Sequence, residues 1–427
     1  MAHLAYRELQ KEAQMKHAWK TVTGLCLATL LVVSAVSIGC GEAEEGVKRV
    51  IVIGHLTDVT GPAGPALVPL AYGVEDTARY YNENDFIPGV ELKVVTYDTK
   101  YDPARDIPGY EWVRERGAQI IITPLSSTAE VLKPFLERDQ VVLFSCASTP
   151  TLVEDPGWIF CKDPPQSAWI KALLKWISEE HWDYESEGRK PKVGAVGWLE
   201  YTHIDIDEGI KEYCEAHPDK FEYVGGYLSP MGTATWSGEV AKLLNCDYVY
   251  PGSTGIGIVS FVNQFRDLGG KATFISCAPL VAFIGLMLDG CGWDRMDGTL
   301  TGAMLSWYEP TVAFGELARD LLYEYHPDEA ADVERSGTGY LGGYDPMRLI
   351  LDILREAIEE VGVDQFDTQA FYDTAVNFSI TYEGLPEVSF AKHQDPRWAN
   401  DYTQIWEWSA QAEDIVMLAD WTLLLTD

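Results

Sequence analysis

The sequence predicts an α/β fold made of two doubly wound units, each with a parallel sheet as its core. Short apolar runs, which are typical of strands buried on both faces, alternate with segments of helical spacing from residue 48 onward. After a turn at residues 162–165 the same alternation begins again. The chain has 427 residues, of which 47% are hydrophobic, and this is enough material for two such cores.

The first unit is predicted to run from the strand KRVIVIG to the strand VVLFS. Leu70, Val74 and Ala78 recur every four residues, which places them on one face of the first helix. The predicted strands cover residues 48–54, 90–98, 118–123 and 141–145. The predicted helices cover residues 67–84, 108–116 and 128–138.

The second unit repeats the pattern and is followed by further elements. Its predicted strands cover residues 192–197, 222–227, 247–250 and 272–276. Its predicted helices cover residues 167–180, 207–217, 238–244 and 258–268. Further strands are predicted at residues 299–307, 404–408 and 414–418, and further helices at residues 311–325 and 345–361. Trp406 and Trp408 alternate with polar residues, as expected of a half-exposed strand.

The first forty residues have the order of a secretory signal. Basic residues at positions 7, 11, 16 and 20 precede an apolar run at residues 22–39, and Cys40 follows. Ser37-Ile38-Gly39-Cys40 is similar to the bacterial lipobox, with Ser37 where leucine is usual. We therefore interpret residues 1–39 as a lipoprotein signal peptide, Cys40 as the lipidated first residue and residues 40–47 as a tether. The alternative is an uncleaved anchor, because the apolar run is at the lower length limit for a membrane-spanning helix.

The charge of the chain excludes one class of partner. With 32 Lys and Arg against 66 Asp and Glu, the formal net charge is −34, and no long basic run is present. Nucleic acid is therefore not a partner. The charge also repels an anionic membrane surface, so membrane attachment would depend on the lipid at Cys40. Removal of residues 1–39 takes away four basic and two acidic residues and leaves −36, which we interpret as a solubility feature of an exported domain.

Cysteines and histidines give no clear metal site. After position 40 the cysteines lie at positions 146, 161, 214, 246, 277 and 291. None forms a CxxC pair, so no structural zinc is predicted, whereas disulfides and buried free thiols both stay open. The stretch from His203 to Asp207 contains a histidine and two aspartates. We interpret it as a loop leading to a helix N-cap at Asp207 in preference to a metal site.

No motif of catalysis or cofactor binding is present. The sequence has no GxSxG, no HExxH and no SxxK followed by KTG. The loop HLTDVTGPAG at residues 55–64 is neither GxGxxG nor a P-loop, so no cofactor is predicted. Asp58 in this loop is a candidate ligand-binding residue. Hydrogen bonding within the loop is an equal alternative.

Small hydroxyl residues follow two neighbouring strands of the first unit. PLSST at residues 124–128 and SCAST at residues 145–149 each lie between a strand end and a helix start. Hydroxyls at such points cap helices, and together with backbone N–H groups they also hold carboxylates or other polar ligands. The candidate ligand-binding residues here are Ser126, Ser127, Thr128, Ser148 and Thr149. The strand ends of the second unit supply the opposite wall, with candidates Trp198, Tyr201, Tyr250, Gly252, Ser253, Ser276 and Cys277.

These stretches together resemble the substrate-binding proteins of ABC transporters of the branched-chain amino acid (leucine/isoleucine/valine-binding) type, which are class I periplasmic binding proteins. The resemblance covers residues 48 to about 421. It rests on VIVIGHLTDVTGPAG, PLSST, SCAST, DYVYPGSTG and GGYDPMRLILDILREAIEEVG in this order. It implies a periplasmic binding protein type I fold, with two Rossmann-like lobes and a hinge of crossover segments. The N-terminal lobe would contain residues 48–161 and about 309–385, and the C-terminal lobe residues 162–308 and about 386–427.

The resemblance also implies roles for individual residues. Ser126 and Ser127, together with Ala147 and Thr149, correspond to the carboxylate clamp of members that bind amino acids. On the second lobe, Tyr201 or Thr202 corresponds to an aromatic position, and residues 250–254 to the next contact loop.

The chain departs from the pattern of this family at one place. Members that bind α-amino acids usually have an acidic residue after the strand at residues 272–276, where this chain has Ser-Cys-Ala-Pro. Glu200, Asp205 and Asp58 are the candidates to replace it. With no replacement, an aromatic or other carboxylic acid, an amide or a urea-like molecule is expected. The cleft loops carry mainly neutral hydroxyls and aromatics, so the acidic surface does not imply a cationic ligand.

The expected function is that of an extracytoplasmic solute receptor. It would capture a small polar ligand, such as an amino acid or a related carboxylate or amide, and deliver it to an ABC permease and its ATPase. No catalysis, cofactor or metal is expected. Two other classes stay open, a ligand-sensing module for a signalling receptor and, less favoured, an enzyme on the same scaffold.

Overall fold

The computed structural model describes residues 48–303 and 313–426. The predicted signal peptide, Cys40 and the tether lie outside these residues. Within the described part of the chain, no helix has both the length and the apolar character needed to cross a membrane.

The secondary structure alternates between strands and helices as predicted. The strands are β1 (Arg49–Thr57), β2 (Val90–Asp98), β3 (Ala118–Thr123), β4 (Val142–Ser145), β5 (Ile159–Cys161), β6 (Lys192–Trp198), β7 (Glu222–Ser229), β8 (Tyr248–Gly252), β9 (Thr273–Cys277), β10 (Leu300–Ala303), β11 (Ser379–Ile380), β12 (Val388–Ser389), β13 (Tyr402–Ser409) and β14 (Asp414–Leu423). The helices are α1 (Gly64–Glu83), α2 (Asp106–Glu115), α3 (Ser126–Asp139), α4 (Pro150–Glu154), α5 (Gln166–Trp176), α6 (Tyr184–Glu187), α7 (Tyr201–Ala216), α8 (Ser237–Leu243), α9 (Ile256–Asp267), α10 (Ala278–Val281), α11 (Ile284–Cys291), α12 (Trp293–Met296), α13 (Ala313–Tyr325), α14 (Ala330–Ser336), α15 (Gly339–Val361) and α16 (Thr368–Asn377). Short 3-10 turns span Pro103–Arg105 and Val363–Gln365, and a π turn spans Ile177–His181.

The two main sheets share one strand order. The first sheet has the order β2-β1-β3-β4-β5, with every pair parallel. The second sheet repeats this order as β7-β6-β8-β9-β10, also parallel. β13 and β14 extend it as antiparallel strands at the β10 edge. The predicted α/β fold of two parallel-sheet lobes is therefore confirmed. In such sheets ligands bind where the strand order reverses, here between β1 and β3 and between β6 and β8.

The central strands of each sheet, such as β3 and β6, are buried on both faces, which explains the continuous apolar runs in the sequence. Ile120, Ile121 and Ile122 of β3, three successive residues, are all fully buried. The hydrophobic core of the first lobe also contains Phe390 and Ala399, so the chain returns to this lobe shortly before β13. The lobe boundaries given above remain a prediction.

Helices α1 and α15 pack unusually closely in the first lobe. A Cβ atom on Gly73 would lie 2.2 Å from the carbonyl oxygen of Tyr340, and one on Gly343 would lie 2.0 Å from that of Leu70. Larger residues at these glycines would push the helices apart. The approach fixes the N-terminal part of α15, which includes Asp345.

The structure corrects the sequence-based description at α7. This helix begins at Tyr201, because Glu200 is its N-cap and accepts a hydrogen bond from the backbone N–H of Thr202 at 3.2 Å. The predicted loop with an N-cap at Asp207 is therefore wrong, since residues 203–207 lie inside the helix.

Among the described residues all six cysteines are free thiols. The parts of the predicted elements at residues 304–307 and 311–312 lie outside the described residues.

Candidate functional site

Two of the segments that connect the lobes are hydrogen-bonded to each other. The backbone N–H groups of Ala399 and Asn400, just before β13, donate to the carbonyl oxygen of Lys162, just after β5, at 2.9 and 2.8 Å. The Asn400 side chain also donates to the carboxylate of Asp163 at 2.8 Å. Lys162 and Asp163 are therefore held where the chain passes from one lobe to the other.

A cavity of about 250 Å³ lies between the lobes at the carboxyl ends of the parallel strands. Residues that follow β1, β3 and β4 line it from the first lobe, and residues that follow β6, β8 and β9 line it from the second. Most of its wall is apolar, with large side chains supplied by Leu67, Leu70, Leu125, Trp169, Phe283 and Leu341. Such a position and such a lining are typical of ligand sites in doubly wound sheets.

The first polar group of the wall consists of Lys162, Asp163 and Asp345, and we name it the crossover group. Lys162 forms an ion pair with Asp345 of α15. Burial alone would lower the pKa of Lys162, but the charges of Asp345 and Asp163 outweigh it and raise the pKa overall. Burial raises the pKa of Asp163, against the opposing effect of Lys162. The crossover group thus contains its own cation.

The second polar group consists of Glu200, His203 and Tyr101, and we name it the Glu200 group. His203 Nε2 lies 3.9 Å from the Glu200 carboxylate, and His203 Nδ1 makes a hydrogen bond of 2.8 Å with the Tyr250 hydroxyl. Burial lowers the pKa of His203 although Glu200 opposes the shift, so the imidazole is neutral at pH 7. Among the described residues, Glu200 has no lysine or arginine within ion-pair distance.

The lobes touch at the Glu200 group. Tyr101 of the first lobe hydrogen-bonds to Glu200 of the second. Burial, together with the charge of Glu200 and this hydrogen bond, raises the pKa of the Tyr101 phenol far above its usual range. Ser126 Oγ lies 3.1 Å from Thr202 Oγ1 and 3.4 Å from Glu200. These contacts enclose the cavity on the side where the lobes meet.

The comparisons with known proteins agree with this architecture. Residues 50–407 match the protein family described as periplasmic binding protein. The chain is a periplasmic binding protein. This match confirms the predicted family and the predicted type of fold.

Solved structures of low sequence identity share the fold of this periplasmic binding protein. A branched-chain amino acid ABC transporter from Thermus thermophilus with bound valine has a TM-score of 0.74 at 16% identity, covering 89% of this chain and 97% of that one. A fatty acid ABC transporter substrate-binding protein from Thermomonospora curvata has a TM-score of 0.75 at 14% identity, covering 87% and 92%. A solute-binding protein from R. palustris in complex with benzoate has a TM-score of 0.67 at 14% identity, covering 89% and 98%. No curated protein matches the chain.

The first-lobe residues predicted to bind ligand lie in the loops around the cavity, but only Ala147 lines it. Asp58 accepts hydrogen bonds from the backbone N–H groups of Gly61 and Ala63, which is the local role given as its alternative. Ser127 is buried in the first turn of α3. The remaining hydroxyls form hydrogen bonds with other protein groups. Ser126 bonds to the Thr202 hydroxyl and Thr128 to the Asp106 carboxylate. Ser148 bonds to the carbonyl oxygen of Pro164 and Thr149 to the Glu130 carboxylate.

Two of the second-lobe candidates lie directly behind the wall and support residues that line it. Tyr250 bonds to His203, and the Cys277 thiol lies 3.5 Å from the side-chain oxygen of Gln166. Gly252 leaves room for the first of these pairs, because a Cβ atom there would lie 2.4 Å from the ring of Tyr250.

The other second-lobe candidates are further from the cavity. Trp198 donates to the carbonyl oxygen of Thr233 at 2.9 Å, and the Ser276 hydroxyl lies 3.3 Å from the carbonyl oxygen of Cys277. Ser253 is buried, whereas Tyr201 is 49% exposed. None of these residues lines the described cavity, and contact with a ligand stays a prediction for each of them.

The expectation of a wall of neutral hydroxyls is incomplete for this cavity, because three carboxylates and a lysine line it beside the hydroxyls of Tyr101, Thr202, Thr254 and Thr338. Of the three candidates for the missing acidic residue, Glu200 lines the cavity, whereas Asp205 accepts from the backbone N–H of Ser167 at 2.9 Å. Lys162, Asp163 and Asp345 were not predicted. The signal that could have found them is a pair of charged residues directly after a fully buried strand end, at the passage between the lobes.

Proposed function

We propose that this periplasmic binding protein captures a small solute between its lobes and delivers it to an ABC permease and its ATPase. The single observation that supports this function is the cavity with walls from both lobes, at the strand ends where doubly wound sheets bind ligands. Contacts such as Ser126 to Thr202 exist only while the lobes touch. A solute that binds the closed state better than the open state shifts the protein toward closure.

The cavity gives the proposed solute an apolar body and one polar end. A cavity of about 150 Å³ lined by apolar side chains holds benzene. About 250 Å³ therefore suits a ring or branched chain with a short polar extension. We propose a ligand in the range of an amino acid or a related carboxylate or amide.

The proposed location is outside the cytoplasm, with lipid at Cys40 holding the protein to the membrane. The acidic chain has no basic footprint for a lipid surface, so attachment depends on that lipid. We propose no catalytic activity, since the family consists of binding proteins.

A thermal-shift screen of the protein against amino acids, aromatic acids, amides, amines and urea tests the binding function. A solute that binds only the folded state raises the melting temperature, and the rise grows with the logarithm of its concentration relative to its dissociation constant. Failure of every solute to do so would contradict the function. Genes for a permease and an ATPase beside this gene are expected, whereas a neighbouring kinase or chemoreceptor gene would favour the sensing alternative.

A further inference from the structure

We propose that Glu200 holds the ligand through a positively charged amino group, so that the cavity prefers an apolar amine to a carboxylate with the same apolar part. This ligand class deepens the proposed receptor function and rests on it. Four observations lead to it, namely the charge balance of the wall, the partners of Glu200, the neutrality of the other polar groups on the wall and the apolar lining.

The charge balance of the wall favours a cationic ligand. Three acidic residues and one lysine line the cavity, and the lysine is already paired with Asp345. A ligand carboxylate would add a fourth acidic group to this cavity, whose lysine is already paired. Burial of a charge is costly unless that charge is paired and hydrogen-bonded.

Glu200 is the carboxylate of the wall that has capacity for a ligand. It is 6% exposed, and it accepts hydrogen bonds from the Thr202 N–H and from the hydroxyls of Ser126 and Tyr101. The neutral His203 lies 3.9 Å away, beyond hydrogen-bond distance. A carboxylate has about four acceptor positions on its two oxygens. A ligand ammonium would supply a charge-assisted hydrogen bond, which is about twice as strong as a neutral one.

The remaining polar groups on the wall, which include the hydroxyls of Thr202, Thr254 and Thr338, are neutral and would not balance the charge of a ligand carboxylate. The hydroxyl of Thr149 bonds to Glu130, and neither Thr149 nor Ser127 lines the wall. His203 lines the wall but is a neutral imidazole that bonds to Tyr250. The positive group on the wall, Lys162, is shared between Asp345 and the nearby Asp163.

The apolar lining sets the rest of the ligand. Leu67, Trp169 and Phe283 enclose space that water fills poorly, so an aliphatic or aromatic body binds there by the hydrophobic effect. 2-Phenylethylamine, phenylalanine and 3-phenylpropionate keep one ring and one chain length while the charge changes from cation to zwitterion to anion. They are therefore matched probes for this cavity.

The first experiment measures binding of these three probes to the full-length wild-type protein by calorimetry. We expect the amine to bind at least tenfold more tightly than the propionate, with phenylalanine between them. This comparison needs no variant, so it cannot be confused with a folding defect. Equal or tighter binding of the propionate would overturn the assignment of an amino group to Glu200.

The second experiment compares Glu200→Gln with Asp205→Asn. Glutamine keeps an acceptor for the Thr202 N–H but loses the charge, so affinity for the amine should fall at least tenfold, while that for the propionate should stay equal or rise. Asp205 is a buried carboxylate on the same helix that does not line the cavity, and its variant should change amine affinity less than threefold. Equal losses in the two variants would overturn the specific role of Glu200.

The outcomes separate this proposal from the receptor function. If the carboxylate is preferred and Glu200→Gln has no effect on the amine, the ligand class is wrong while the receptor function stands. If no amine, amino acid, amide or carboxylate binds in the solute screen, the receptor function itself fails.

Discussion

The two polar groups in the cavity wall differ in how their charges are balanced. The crossover group joins Lys162 and Asp163, between the lobes, to Asp345 on α15, and its cation and anions are parts of the protein. The Glu200 group brings a carboxylate from the second lobe against Tyr101 of the first, with no protein cation beside it among the described residues. The charges of the crossover group are balanced within the protein, whereas the carboxylate of the Glu200 group has no protein cation to balance it among the described residues.

This difference assigns the two groups to different tasks. A buried ion pair that is complete adds little net stability but becomes costly when one partner is lost, so the crossover group suits a structural joint. A buried carboxylate with neutral partners is more stable when a cation arrives. The Glu200 group therefore suits a place that is filled and emptied as the lobes close and open.

Loss of the cation from the crossover group should have the largest effect. Lys162→Met leaves Asp345 and Asp163 as partly buried carboxylates without their buried cation, and we expect the free energy of unfolding to fall by about 3–5 kcal/mol. Urea unfolding followed by circular dichroism measures this change.

Lys171→Met is the matched control for that variant. Lys171 pairs with Glu212, which is 63% exposed, and the loss of such a pair should cost about 0–1 kcal/mol. If both lysine variants lose the same small amount, the crossover group is not a structural joint and the contrast with the Glu200 group disappears.

The pH dependence of stability tests whether Glu200 lacks a cation. Burial lowers the pKa of His203 below its usual 6.5, so below that pH the unfolded chain binds a proton that the folded protein does not. Stability therefore falls as pH drops below 6.5, by about 1.4 kcal/mol per pH unit for one such proton. His203→Gln removes this proton. The variant should therefore lose less stability than wild type between pH 7 and pH 5, by at most about 2 kcal/mol.

Urea unfolding at pH 7 and pH 5 measures how much stability each of the two proteins loses. His55 has its pKa lowered by burial to about 3, and it is present in both proteins, so its contribution cancels in the difference. Glu200 and Tyr250 face His203 and are likewise unchanged. A steeper acid loss in the variant would mean that His203 is protonated and pairs with Glu200, which would give the Glu200 group its own cation.

The contact between the lobes should have a moderate effect on affinity. Ser126→Ala removes the hydrogen bond to Thr202, which contributes about 1 kcal/mol and exists only when the lobes touch. We expect ligand affinity to fall about fivefold in calorimetry. Ser379→Ala removes a similar hydroxyl pair between β11 and β12 and should leave affinity unchanged. An equal loss in both variants would argue against a role for Ser126 in closure.

The fold could be predicted from the sequence because each strand and helix leaves a local pattern. β2 and β3 have the predicted bounds, since continuous apolar runs and the period of the helices depend on residues close in the chain. The position of the cavity could also be predicted from the strand pattern, because ligands bind at the carboxyl ends of the parallel strands in such sheets.

The wall of the cavity could not be predicted, because it depends on where side chains point and on contacts across long stretches of chain. Lys162 and Asp345 are 183 residues apart in the sequence, and nothing local marks them as a pair. The hydroxyls of PLSST and SCAST were found, but their side chains bond to Asp106, Glu130 and Thr202. Hydroxyls that follow a strand serve helices and ligands equally well, so sequence alone leaves both roles open.

Loss of a hydroxyl from the SCAST loop should have the smallest effect on binding. The Thr149 hydroxyl bonds to Glu130 and lies 3.1 Å from that of Thr151, away from the cavity. Thr149→Val keeps the shape of the side chain, so ligand affinity should stay within about twofold while the free energy of unfolding falls by about 1 kcal/mol. Calorimetry on the tightest solute from the screen measures the first quantity and urea unfolding the second. A tenfold loss of affinity with unchanged stability would mean that Thr149 clamps a carboxylate. The cavity would then bind an anionic end of its ligand, and Glu200 would not be the residue that pairs with a charged group of the ligand.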